Sequence, residues 1–258
     1  MLILDGKIAS AAVKATLLAQ TQALTTEGKR APHLAAILVG NNGASETYVA
    51  SKVKNCEETG FESTLIRLDV AVSEKILLDK IIELNNNPAI DGILVQLPLP
   101  KHIDEAKVIE TINPAKDVDG FHPANVGRLV QGLPTFIPAT PYGILLMLAH
   151  FDIPTKGKNA VVIGRSNIVG RPMSILMGRK GFPGNSTVTL THSYTKNITQ
   201  ITSQADIIIS ALGVPNFLKA EMVKDDAVVI DVGITRVVDE TYPKGYYITG
   251  DVDFENVS

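Results

Sequence analysis

Val161-Val162-Ile163-Gly164-Arg165-Ser166-Asn167-Ile168-Val169-Gly170-Arg171-Pro172 is an apolar β-branched run that breaks at one glycine and resumes as a helix at another. An apolar run without alternation is what a strand covered by helices on both faces requires. A helix that starts directly beyond a tight glycine turn aims a partial positive charge and free N–H groups at that turn, a seat suited to a pyrophosphate. The run departs from the standard G-x-G-x-x-G spacing, because Ser166 stands where the second glycine would be and the last interval is one residue longer. Read alone, the loop serves equally as a nucleotide site or as a plain strand-to-helix turn.

Similar apolar, β-rich runs recur on both sides, at 33–39, 61–68, 90–95, 187–191, 207–211 and 227–234, with helical patterns between them. Strands that alternate with helices indicate βαβ units and parallel sheets, which places the chain in the α/β class. From Val130 to Gly143 three prolines and two glycines interrupt both periodicities, so the domain boundary is expected there. The expected division is 1–139 for a first α/β domain and 140–258 for a second, Rossmann-type one, and an arrangement of two such parallel-sheet domains leads one to expect a cleft between them. Thr140 is expected to cap, and Pro141 to open, a helix from Tyr142 to His150.

The composition excludes several classes. With 258 residues, 45% hydrophobic and 20% charged, the chain has room for two ordinary cores. A net charge of −3 offers no basic field for nucleic acid, and no apolar run approaches the length of a bilayer span. The N-terminus lacks the basic-then-apolar pattern of a signal peptide, and a single cysteine, Cys56, suits a reducing compartment, so a cytoplasmic protein with a small-molecule ligand is expected. Cys56 reads as a structural thiol. His33, His102, His122, His150 and His192 are scattered without ligand spacing, so no metal site is expected.

In the second half, the strand after the glycine turn ends in His192-Ser193 with no carboxylate, and Arg165 stands in the turn. A site for NAD places an acid at that strand end to hold the ribose, whereas NADP calls for an arginine, so the pattern favours NADP. Arg165 is then either the reader of the extra phosphate or a solvated loop cation. In the first half, Tyr48 and Lys52 share one helical face, and Ser45 is placed to cap that helix. The pair serves either as a surface contact or as a group that holds a flat ring and moves a proton. Gln96 closes the strand before Leu97-Pro98-Leu99-Pro100, where ligands of open α/β sheets gather. Lys116-Asp117-Val118-Asp119-Gly120 carries two carboxylates, of which Asp117 reads more readily as a turn-former than Asp119.

Ser45-x-x-Tyr48-x-x-x-Lys52, Gly92 to Pro100, Lys116 to Pro123, Thr140-Pro141-x-Gly143, Gly164 to Pro172, Asp231-Val-Gly233-Ile and Gly250-Asp251-Val252 occur in this order across nearly the whole chain. The string resembles the bifunctional methylenetetrahydrofolate dehydrogenase/methenyltetrahydrofolate cyclohydrolases. That resemblance implies NADP-dependent oxidation of a methylenetetrahydrofolate, then hydrolysis of the methenyl product to 10-formyltetrahydrofolate. It implies Lys52 as the essential group of hydrolysis, Tyr48 as the ring that stacks on the folate aminobenzoyl group, Gln96 as the partner tuning Lys52, and Asp119 as the pterin anchor. It also implies a nucleotide site from Gly164, Arg165, Ser166, Gly170, His192, Ser193, Gly213 and Ile234, and a homodimer. Members of that family usually continue beyond the Gly-Asp-Val motif into a Pro/Gly-rich segment and a closing helix, so an uncovered apolar patch is expected where that segment would lie. Two rival readings differ in class. A dehydrogenase of the shikimate or amino-acid type shares the layout but gives Gln96 no role, and a non-catalytic nucleotide-binding regulator needs none of the set Tyr48, Lys52, Gln96 and Asp119.

Overall fold

The computed structural model describes residues 2–40, 43–242 and 245–258. The chain forms two compact units, Asp5–Ala139 and Thr140–Ser258, with the residues up to Leu4 grouped with the second.

The first unit runs α1 (Gly6–Thr26), β1 (His33–Val39), α2 (Gly43–Thr59), β2 (Glu62–Leu68), α3 (Glu74–Asn86), β3 (Gly92–Val95), α4 (Glu105–Thr111) and α5 (Pro123–Val130). Its three strands pair in parallel in the order β2-β1-β3. The central strand β1 is buried over its last five residues and β3 is buried throughout, with the segment at Asp117 paired along it, whereas β2, at the opposite edge, alternates. That contrast is why Ala35-Ala36-Ile37-Leu38-Val39 is continuously apolar while Glu62-Ser63-Thr64-Leu65-Ile66-Arg67-Leu68 mixes in polar residues. α3 buries Leu77, Ile81 and Leu84, one helical stripe, against Ala35, Ile37, Ile93 and Val95 of the sheet. Cys56 is a buried free thiol of α2, and burial raises its pKa, which suits a packing role.

The second unit runs α6 (Ala139–His150), β4 (Asn159–Ile163), α7 (Gly170–Gly178), β5 (Thr187–Thr191), α8 (Ile198–Thr202), β6 (Ile207–Ser210), β7 (Val228–Asp231), β8 (Thr235–Val238), β9 (Tyr246–Thr249) and α9 (Phe254–Val257). Four parallel strands take the order β5-β4-β6-β7. Val161, Ile163 and Ile208 of the central strands pack with Ala205, Leu218, Met222 and Val252. α7 presents Met173, Leu176 and Met177, all fully buried. Gly164 ends β4 at φ +108°, and a Cβ placed on it would lie 2.3 Å from the Ala211 carbonyl oxygen beyond β6. At Gly170 a Cβ would meet the Gly164 carbonyl oxygen at 2.0 Å. The two glycines therefore allow the strand, the turn and the helix to close on one another, which no larger residue permits.

All seven strands read from the sequence are present. Several local readings need correction. Ser45 lies buried inside the first turn of α2, so it is not that helix's cap, and the turn expected before it includes Asn41 and Asn42, outside the described residues. α6 begins at Ala139, so Thr140 and Pro141 lie within its first turn, where proline costs no hydrogen bond. β7 stops at Asp231, short of Ile234. Beyond it the chain forms an antiparallel pair, β8 with β9 in the register Thr235↔Thr249, a stretch past the last strand, 227–234, expected from the sequence. Among the described residues no helix is long and apolar enough to cross a membrane.

Replacing Gly164 by Ala should lower stability by about 2 kcal/mol or more through the clash with Ala211 and the left-handed backbone. Urea unfolding followed by circular dichroism measures this, and an unchanged midpoint would contradict the packing described.

Candidate functional site

In the first unit the chain order reverses between β1 and β3, and ligands of open α/β sheets bind outside the carboxyl ends of strands at such a reversal. Three groups arrive there by different routes. Gln96 directly follows β3 and continues its ladder, its backbone N–H donating to the Ile37 carbonyl at 2.9 Å. Lys52 lies on α2, the helix that follows β1. Asp119 comes from an irregular segment that runs parallel to β3: Ile93 pairs with Asp117, and the Ile93 N–H donates to the Lys116 carbonyl at 2.7 Å. Two residues beyond that bridge, Asp119 emerges at the same edge.

The Lys52 ammonium donates to Gln96 Oε1 at 3.2 Å, and Gln96 Nε2 donates to the Leu97 carbonyl at 2.7 Å. The second bond fixes the amide so that its oxygen faces the lysine. Burial lowers the Lys52 pKa from the ordinary lysine value, and the charge of Asp119 opposes that shift without cancelling it. Burial also pushes the Asp119 carboxyl up to about 6, with the Lys52 ammonium pulling it down and Asp117 adding to the rise. The site therefore holds an amine with a lowered proton affinity, an amide that orients it, and a carboxylate poised to accept N–H donors. Tyr48, one turn before Lys52, has its ring half exposed. Asp117 is turned inward instead: its carboxylate is buried and accepts from the His122 N–H at 2.8 Å and from Asn125 Nδ2 at 2.9 Å, which shapes the loop.

In the second unit, parallel strands bring the residue after each strand to one edge of the sheet. Gly164 follows β4, His192 and Ser193 follow β5, Gly213 lies three residues beyond β6, and Ile234 lies three beyond β7. The reversal of chain order falls between β4 and β6, at Gly164 and the segment 211–214. Arg165 sits 5.9 Å from the centroid of the exposed Tyr194 ring, which brings its guanidinium toward the end of β5. His192 holds its ring by accepting the Tyr194 N–H on Nδ1 at 3.2 Å, and the two rings meet edge to face at 6.2 Å. No carboxylate directly follows β5.

The helix end differs from the sequence reading in one respect. Ser166 Oγ accepts the N–H groups of Val169 at 3.1 Å and Gly170 at 3.4 Å, and its carbonyl accepts that of Arg171 at 3.0 Å. The first-turn donors expected to be free are thus occupied by the serine that replaces a glycine of the standard fingerprint. Their positive end still faces the turn, so the field favours an anion there. Sequence reasoning also gave no role to Asp231 and Asp251. Asp251 is fully buried, and its carboxylate gathers backbone N–H groups of the segment after β6. The order Asp231-x-Gly233 and Gly250-Asp251 was visible, but bonds to backbone N–H leave no side-chain partner in the sequence to read. Among the described residues no cluster of three or more His, Cys, Asp or Glu could hold a metal ion.

Two family models match the chain. The tetrahydrofolate dehydrogenase/cyclohydrolase catalytic domain matches residues 4–119, and the corresponding NAD(P)-binding domain matches 138–258. A protein named "Bifunctional protein FolD" from Flavobacterium psychrophilum is 67% identical over the whole chain and 88% of its own length, and one from Christiangramia forsetii is 64% identical over the whole chain and 86% of its length. The crystal structure of the bifunctional enzyme FolD, a methylenetetrahydrofolate dehydrogenase/cyclohydrolase from Campylobacter jejuni, superimposes with a TM-score of 0.93 at 46% identity, covering 100% of this chain and 88% of that one. The Trypanosoma brucei enzyme, complexed with NADP cofactor and inhibitor, superimposes with a TM-score of 0.92 at 34% identity, covering 99% and 86%.

The electrostatics are open to direct test. Carboxyl-carbon NMR should show Asp119 titrating near 6. Lys52→Met removes the ammonium that holds that value down, so the titration should move higher. An Asp119 titrating at the ordinary aspartate value, about 3.9, would contradict the burial argument.

Proposed function

The chain belongs to the tetrahydrofolate dehydrogenase/cyclohydrolase family, and from that premise we propose that its first unit carries the folate chemistry on Lys52, Gln96, Asp119 and Tyr48 while its second unit holds NADP. The protein oxidises 5,10-methylenetetrahydrofolate to the methenyl cation and hydrolyses that cation to 10-formyltetrahydrofolate. The observation that carries the reading is the Lys52–Gln96 contact at 3.2 Å in an environment that lowers the lysine pKa.

Each group has a task set by its chemistry. Asp119, when ionised, accepts N–H donors of the pterin and fixes the ring. The Tyr48 ring, half exposed, lies against the aminobenzoyl group. In hydrolysis, water adds to the electron-poor methenyl carbon and gives up a proton. Lys52 in its neutral form takes that proton and returns it to the ring nitrogen as the carbon–nitrogen bond breaks, while the new hydroxyl releases its own proton to solvent to form the carbonyl, leaving the formyl group on the other nitrogen and one proton released overall. Gln96 holds the Lys52 amine in line through its fixed amide oxygen. Methenyltetrahydrofolate is itself cationic, so its arrival disfavours the protonated lysine further.

NADP supplies the hydride acceptor of the first step when it is bound. The residues of the second unit fit that cofactor. A Cβ on Gly213 would meet nothing within 4 Å, Ile234 is 65% exposed at the same edge, and His192-Ser193 with Arg165 replaces the carboxylate that would repel a ribose phosphate. Arg165 takes the 2′-phosphate, His192 and Ser193 line its surroundings, and the turn Gly164-Arg165-Ser166 with Gly170 carries the pyrophosphate in the field of α7. We place the protein in the cytoplasm as a homodimer without membrane or nucleic-acid partners, consistent with its single, buried, unpaired thiol and its net charge of −3.

Lys52→Met should lower methenyltetrahydrofolate hydrolysis by about 100-fold or more, since positioned acid–base groups contribute on that order, and should leave NADP binding intact. Near-normal hydrolysis by the purified variant would remove Lys52 from this role. Arg165→Ala should cut the preference for NADP over NAD by about tenfold, the worth of one charge-assisted hydrogen bond. An unchanged ratio of the two kcat/KM values would count against Arg165 as the phosphate reader.

A further inference from the structure

The segment after β6 is shaped by a carboxylate buried beneath it. Asp251 is fully inaccessible, and among the described residues no lysine or arginine is paired with it. Its charge is met by main-chain donors: Leu212 N–H at 2.6 Å and Gly213 N–H at 3.2 Å on Oδ2, and Val214 N–H at 2.9 Å on Oδ1, with the Ser210 hydroxyl at 3.5 Å. Three successive N–H groups that converge on one anion form a concave nest, closed here by the protein's own side chain. Gly213 takes φ +70°, which the nest requires of it.

Asp251 is itself held in place. Its backbone N–H donates to Asp231 Oδ1 at 2.9 Å, and that of Val252 donates to Asp231 Oδ2 at 3.1 Å. The same stretch of chain pairs with 216–218: the Asn216 N–H donates to the Gly250 carbonyl at 3.2 Å and the Leu218 N–H to the Asp251 carbonyl at 2.9 Å. Two carboxylates therefore act in series. Asp231, at the end of β7, fixes residues 250–252, and Asp251 then fixes 212–214, at the end of β6.

The position of that second segment gives the arrangement a functional reading. It lies at the reversal of chain order between β4 and β6, where Gly164 packs against Ala211. The side of Gly213 that would carry a Cβ opens on free space. A buried charge without an ionic partner is costly to maintain, and a hydrophobic residue would fill the same volume without that cost. The nest fixes the backbone to a shape that apolar packing does not specify.

We infer that Asp251 is a positioning residue for NADP: by gathering the N–H groups of Leu212, Gly213 and Val214 it sets the backbone at the sheet edge against which the dinucleotide lies. This rests on the proposal that the second unit binds NADP. Asp251→Asn keeps the shape but turns one acceptor oxygen into a donor facing the N–H groups it should receive. Asp231→Asn perturbs the same chain one step back, at a side chain exposed to solvent.

The test uses the full chain and compares NADP affinity by calorimetry, the KM for NADP, and hydrolysis of methenyltetrahydrofolate. Asp251→Asn should weaken NADP binding by about tenfold or more, the scale of one lost hydrogen bond to a charged group. Its hydrolysis, carried by the other unit, should be near the parent's. Asp231→Asn should act in the same direction by a smaller factor, and it carries the test alone if Asp251→Asn does not fold. A raised KM for NADP with the hydrolytic rate retained supports the inference. Unchanged NADP affinity in a folded variant, even one of lower Tm, overturns it and leaves the carboxylate a purely structural part. A parent protein that fails to bind NADP overturns the cofactor reading itself, and the inference with it.

Discussion

A lysine held on an amide oxygen at the carboxyl edge of a half-buried sheet is the interaction on which the catalytic reading depends. The 3.2 Å contact joins residues 44 positions apart. It exists because parallel pairing sends the end of β3 and the helix after β1 to the same edge. Burial then sets the chemistry. Desolvation disfavours the ammonium, and the nearby Asp119 carboxylate only moderates the effect. The same burial keeps Asp119 from being a strong counter-ion, since its own carboxyl is pushed up to about 6. Each group therefore has its proton affinity shifted from the ordinary value, Lys52 downward and Asp119 upward, which is the usual condition of a site that exchanges protons or recognises a charged ring.

The second unit applies the same sheet-edge logic to a different end. Steric closure at Gly164 and Gly170 brings strand, turn and helix together, and a carboxylate nest fixes the adjoining backbone. Ser166 shows how the unit departs from the commoner glycine fingerprint. A hydroxyl takes over the helix-end donors that a second glycine would leave exposed. Those donors are then satisfied before any ligand arrives, and the attraction of the turn for an anion comes from the helix field together with Arg165.

Much of this was legible in the chain. Strands buried on both faces wrote themselves as continuous apolar runs, and β1 and β5 match the sequence reading in both limits. Lys52, Gln96 and Asp119 were each weak alone, and only their joint order singled them out as candidates. The β8–β9 pair was missed because its strands are only four residues each and lie beyond Ile234, where the last strand read from the sequence ends. The cap assigned to Ser45 failed because the helix begins earlier, at Gly43. Asp251 escaped for a different reason: a carboxylate met mainly by backbone N–H groups, with no cationic partner among the described residues, has no complementary charge to betray it. The illegible part of the structure is the part carried by main-chain groups, which all residues share.

The most direct test of the central claim is the titration of the Lys52 amine itself. Nitrogen NMR of lysine-labelled protein, with the resonance assigned by its loss in Lys52→Met, reads that ionisation apart from the surface lysines. The account predicts a midpoint clearly below the ordinary lysine value of about 10.4. A Lys52 amine that titrates together with the exposed lysines would contradict it.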